Sequence, residues 1–216
     1  MEKQVVSKKR VADHGEVYTG KREVNAMLDL VKQETERIDS RFLEPACGTG
    51  NFLTEILERK LCVVEDNYGK SQLDYERYAV LAVSSIYGID KLEDNVKECR
   101  NRLANIFERH HHGFLFKENR LIAAVNYILE RNIIWGDALT LKTVDEHPRP
   151  IVFSEWALVN GSTIKRRDFT FEELLYCAGM REEPLFSDIG EKAFIPNPIK
   201  EYPLMHFLEV ADVDKQ

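Results

Sequence analysis

Along the chain, stretches with apolar residues every three to four positions alternate with short apolar runs that end in a carboxylate. In KREVNAMLDLVKQE, Val24, Met27, Leu28 and Val31 share one stripe, which predicts an amphipathic helix over residues 21–36. RFLEPA reads as a short strand stopped by Pro45. NFLTEILERKL then sets Phe52, Leu53, Ile56 and Leu57 on one face of a second helix, with Asn51 as its N-cap. VVEDNYGKSQLDYERY is polar and reads as turn-rich, and the helical pattern returns in YERYAVLAVSSI. IYGID, Ile86 to Asp90, and IIWGD, Ile133 to Asp137, read as buried strands. The helices NVKECRNRLANIFERH and LIAAVNYILERN fall between them, the second as a core helix. Strand and helix alternate three times, which predicts a parallel sheet covered by helices.

After residue 140 the period changes. IVFSEWALV and STIKRRDFTF are β-rich runs joined by Asn160-Gly161, a strong signal for a tight antiparallel hairpin. FEELLYC predicts a short helix. The tail FIPNPIKEYPLMHFLEVADV carries several prolines and reads as extended or irregular.

At 216 residues the chain has room for one sizeable α/β domain. The expected division is an N-terminal helical segment at 1–40, a ligand-binding core at 41–140 and a hairpin and tail at 141–216. No apolar run approaches the roughly 18 to 20 residues of a membrane span, and the basic start lacks an apolar core behind it. A cytoplasmic protein is expected. Cys47, Cys62, Cys99 and Cys177 are scattered, without metal-ligand spacing, and read as free thiols. The net charge of −7 opposes a protein that grips nucleic acid alone. The clusters KKR (Lys8 to Arg10) and KRR (Lys165 to Arg167) read as solvated faces, with phosphate contact as the alternative.

RFLEPACGTGNFL runs from a strand through two glycines into a helix. Gly48 and Gly50 let backbone approach a ligand and leave amides open at the helix start. A dinucleotide site wants a third glycine where Leu53 stands, and a Walker loop wants a Gly-Lys pair that is missing here. With Glu44, Asp90 and Asp137 at or near strand ends, the pattern points to a ligand with few or no phosphates, a ribose and an aromatic base.

FLEPACGTGNFL resembles motif I of class I S-adenosylmethionine-dependent methyltransferases, in the form typical of adenine-specific DNA methyltransferases from restriction–modification systems. HGEVYTG resembles their motif X, with Tyr18 and Thr19 matching and Gly20 in place of proline. YGID is similar to motif II, and WGDAL, with Asp137 and Ala138, to motif III. The resemblance spans about residues 11 to 140 and implies a Rossmann-like class I methyltransferase sheet with S-adenosyl-L-methionine as cofactor. It implies binding residues at Tyr18, Thr19, Glu44, Pro45, Ala46, Cys47, Gly48, Gly50, Asn51, Phe52, Asp90, Asp137 and Ala138. Asp90 would accept from both ribose hydroxyls and Asp137 from the adenine amine. Glu44 would face the methionine ammonium or sulfonium, and Tyr18 the sulfonium.

The family's catalytic motif IV, a polar residue followed by Pro-Pro and an aromatic, is not found: the chain has no Pro-Pro. Ser154-Glu155-Trp156 stands at the expected distance and reads either as strand or as a remnant of that motif; Asn197-Pro198 stands too far along. The catalytic residues are therefore unassigned. No stretch is left for a target-recognition domain, so contact with DNA is expected through a partner specificity subunit. Two functions remain open: an active methyltransferase, or a cofactor-holding subunit or regulator without chemistry. Cys47 reads as a small packing residue rather than a nucleophile. His110 to His112 read as a loop after a helix, near its C-terminus, rather than a metal site.

Overall fold

The computed structural model describes residues 17–111, 119–182 and 195–215, together with Arg10 and Ala12. Two helical pieces, α1 (Lys21–Asp29) and α2 (Lys32–Thr35), replace the single helix expected over residues 21–36. Leu30 and Val31 close α1 on the Met27 and Leu28 carbonyls, and Arg59 reaches the Asn25 carbonyl and Asp29 at the break.

Strand β1 (Phe42–Glu44) leads through the glycine turn into α3 (Asn51–Tyr68), then α4 (Gln72–Ser84) and β2 (Ile86–Asp90). Helices α5 (Glu93–His111) and α6 (Asn119–Asn132) lead to β3 (Ile133–Asp137) and β4 (Lys142–Thr143). The expected turn-rich segment is mostly helix. The stripe Leu53, Leu57, Leu61, Val64 keeps facing the core while Glu65, Asp66 and Asn67 face water, so polarity there marks a helix surface. The turn itself is confined to Gly69, which bonds back to the Glu65 carbonyl, and the residues leading to Ser71, whose hydroxyl caps α4 at the Asp74 amide.

The sheet order is β1-β2-β3-β4, with the first three strands parallel and β4 antiparallel. Alternation along β2 separates two cores. Ile86 faces the helices with Leu53, Leu57, Leu103 and Ile128, whereas Tyr87 and Ile89 face Ile151, Phe153 and Phe171 on the other side. Burying side chains of the size of Leu57, Leu61 or Phe107 contributes about 1.5–3 kcal/mol each. Gly88 makes room for the glycine turn: a Cβ there would lie 2.9 Å from Leu53 Cδ1 and 3.1 Å from Cys47 Cβ. The bulk of Leu53, where a dinucleotide site has glycine, is thus accommodated from the facing strand.

A second, antiparallel sheet follows. β5 (Val152–Leu158) and β6 (Thr163–Thr170) pair in register from Val152↔Thr170 to Leu158↔Ile164. Their turn uses Gly161 at φ +54° and closes with the Thr163 amide on the Asn160 carbonyl. The expected helix is α7 (Phe171–Glu182). The tail is more ordered than its prolines suggest: β7 (Lys200–Glu201) and β8 (Met205–His206) both pair with β6, and a 3-10 stretch covers Phe207–Lys215.

The KRR cluster is not a solvated face throughout. Arg166 is buried and holds Asp168 by two bonds of 2.8 and 2.7 Å, with Tyr127 Oη at 2.6 Å and Ser154 Oγ at 3.1 Å. Lys165 pairs with Glu201, and Arg167 with Glu155. The alternation of β6 turns Arg166 inward and its neighbours outward. In the KKR cluster, Arg10 pairs with Asp94, and Lys8 and Lys9 lie outside the described residues. No helix among the described residues is long and apolar enough to cross a membrane.

Candidate functional site

The carboxyl ends of β1, β2 and β3 open onto a cleft of ≈720 Å3, within the range usual for small-molecule sites. Tyr18 and Thr19 border it from the N-terminal segment, and Glu44, Pro45, Ala46, Cys47 and Gly48 from the end of β1 and the turn. Asn51 and Phe52 enter from the first turn of α3, Asp90 from the end of β2, and Asp137 and Ala138 from the end of β3. Of the residues singled out in the sequence, Gly50 alone does not line the cleft.

Gly50 instead makes the turn possible. It stands at φ +86°, and a Cβ there would lie 2.6 Å from Cys99 Sγ, so both conformation and space require glycine. Its backbone also takes the N-cap position expected for Asn51. The Asn51 side chain turns away, donating to the Thr19 carbonyl at 2.9 Å and accepting from Arg102 at 2.8 Å. Gly48, at φ +51°, aims its amide at Asp90 Oδ2, 2.8 Å away. Tyr18 packs over Gly48, 3.3 Å from where its Cβ would be.

The three carboxylates are held differently. Asp90 accepts from the Gly48 amide on one oxygen, and from the Leu92 amide and Asn95 Nδ2 on the other, at 2.9 and 3.2 Å. Asp137 is buried; burial opposes its ionisation, but the Lys91 ammonium at 3.0 Å and the Leu139 amide outweigh it and hold the carboxyl below its usual range. Glu44 is half-buried, and burial raises its pKa against the opposing hydrogen bond from the Ala46 amide. Lys91 is the one cation among the described lining residues, so the cleft carries more negative than positive charge.

The site also uses residues that sequence reading did not single out. Arg102 clamps the turn from α5 by bonds to the Thr49 carbonyl at 2.7 Å and to Asn51. Asn95 joins Tyr18 Oη to Asp90, and Trp135 Nε1 donates to the Lys91 carbonyl at 3.0 Å. Asn95, Cys99 and Arg102 stand at i, i+4 and i+7 on α5, so the available signal was one polar-containing stripe facing the glycine turn.

Ser154, Glu155 and Trp156 do not reach this cleft. Trp156 is buried with its indole N–H on Asn132 Oδ1 at 3.0 Å, Ser154 bonds to Asp168 at 2.7 Å, and Glu155 pairs with Arg41 and Arg167. They are strand residues, as the hairpin reading expects. Ser154 and Glu155 border a second cavity of ≈540 Å3, lined by Leu43, Tyr87, Phe153 and Phe171 on the face of the sheet away from α3. Asn197 bonds through its backbone N–H to Glu173 and does not line the cleft.

Cys47 is buried, and its hydrogen bond with Cys99, with burial, raises its thiol pKa far above the usual range, which opposes a nucleophilic role. His110 and His111 belong to α5, not to a loop: His110 meets Glu65 at 2.8 Å, and His111 lies between Tyr75 and Phe107. His112 lies outside the described residues. No group of three metal-binding side chains occurs among the described residues. Comparison with protein-family models, curated proteins and solved structures finds no match for the chain.

Proposed function

We propose that the cleft binds S-adenosyl-L-methionine and that the chain works in methyl transfer of the adenine-DNA type, with β1 to β3 as part of a Rossmann-like class I sheet. One observation carries this reading: the segments similar to motifs X, I, II and III, spread from Tyr18 to Ala138, meet around a single cleft. Three carboxylates against one lysine disfavour a phosphate-rich ligand and suit one with a sulfonium and an ammonium. When bound, the cofactor supplies an activated methyl group for direct displacement by an amine.

The chain's own residues would bind and orient. Asp137 would accept from the adenine amine, Glu44 would face the methionine end, and the Tyr18 ring would stand near the sulfonium. Asp90 would hold the ribose, although an ionised carboxylate offers about four lone-pair positions. Its three protein donors leave room for one ribose hydroxyl, not both, unless the Gly48 amide gives way.

A second reading is favoured by the inward fixing of Ser154 and Trp156: the chain holds the cofactor while a partner subunit supplies the acceptor-activating residues and the DNA contacts. Transfer of tritiated methyl from S-adenosyl-L-methionine to unmethylated DNA separates the two. Transfer by the purified chain supports an active enzyme. Absence of transfer with intact cofactor binding supports the subunit, and absence of binding removes both.

A further inference from the structure

Asn95 is 3% exposed, and its carboxamide is satisfied by hydrogen bonds to side chains from two separate parts of the chain. Its carboxamide stands between two structures. Oδ1 accepts from Tyr18 Oη and from Arg10 Nη2, each at 3.2 Å, and both donors belong to the N-terminal segment. Nδ2 donates to Asp90 Oδ1, also at 3.2 Å. A carboxamide is planar with its acceptor and donors on opposite sides, so two donors on the oxygen oblige the NH2 group to face Asp90. The Tyr18 ring meanwhile packs against Gly48, whose amide holds the other oxygen of the same carboxylate. Tyr18 therefore touches two of the three donors to Asp90, and Arg10 one of them.

We infer that Asn95 is a positioning residue which couples Tyr18 and Arg10 to Asp90, so that their hydrogen bonds to its carboxamide sharpen selection for ligands carrying ribose hydroxyls. The inference rests on the cofactor reading above. Tyr18→Phe keeps the ring over Gly48 and removes one donor to Asn95. Asn95→Leu cuts the connection to Asp90, with Asn95→Ser as the second variant should the larger side chain impair folding.

The test is calorimetric titration of wild type, the single variants and the double variant with S-adenosyl-L-methionine, and with adenosine against 2′,3′-dideoxyadenosine. Tyr18→Phe should weaken cofactor binding about threefold to tenfold, the range of one net hydrogen bond. Most of that loss should disappear in the Asn95→Leu background, and Asn95→Leu should narrow the preference for adenosine over its dideoxy analogue. A merely structural Asn95 would lower the melting temperature and leave that preference unchanged. Equal losses from Tyr18→Phe in both backgrounds, or an unchanged ribose preference in folded Asn95 variants, would overturn the coupling. Failure of wild type to bind the cofactor at all would instead overturn the cofactor reading, and this inference with it.

Discussion

Single side chains carry most of the chemistry, and Asp90 is the sharpest case. Asp90→Ala should weaken S-adenosyl-L-methionine binding by about 1–3 kcal/mol, because it leaves a ribose hydroxyl of the ligand without its acceptor. Calorimetry on the folded variant reads this directly, and unchanged affinity would show that the ribose lies elsewhere. A different residue governs stability against pH. Lys60 is fully buried, donating to the Ile38 and Ser40 carbonyls and to Ser85 Oγ, and burial lowers its pKa to about 7 from 10.5. Between those two values the unfolded chain holds a proton that the folded chain lacks, so stability should rise with pH through this window. Urea unfolding of wild type and Lys60→Met at about pH 7 and 9.5 should show that rise, on the order of a few kcal/mol, in wild type and lose it in the variant. Equal pH dependence of the two would refute a depressed Lys60.

At the scale of elements, the buried hairpin network makes the clearest prediction. Arg166→Met would leave Asp168 buried with Ser154 and Tyr202 as its remaining side-chain donors, at a cost of about 3–5 kcal/mol. Replacing Arg166 and Asp168 together by apolar residues should cost much less; chemical denaturation of the two variants tests the contrast, and equal losses would contradict it. The same hairpin shows what the sequence could reveal. Ile86 to Asp90 and Ile133 to Asp137 were readable to the residue because each is an apolar run closed by a carboxylate. Asn160-Gly161 likewise announced its turn. The polar stretch after Val63 misled because a helix that faces water on one side looks like a loop when only that side is read. Arg166, Asn95 and Arg102 were hidden for a related reason: their roles depend on which face of one element meets another far along the chain, and local pattern does not contain that.

For the whole molecule, the sheet puts the ends of β1, β2 and β3 side by side, and so brings Glu44, Asp90 and Asp137 to one cleft from positions widely separated in the sequence. Its charge balance and glycine turn were foreseeable. The place of Tyr18 at that cleft was foreseeable only in outline, and its connection to Asp90 through Asn95 not at all. The central claim is that this cleft holds S-adenosyl-L-methionine, and calorimetric titration of the purified chain with that compound tests it most directly. Saturable one-to-one binding that Asp90→Ala weakens is the expected result. No heat of binding from a folded chain, or binding indifferent to Asp90, would contradict it.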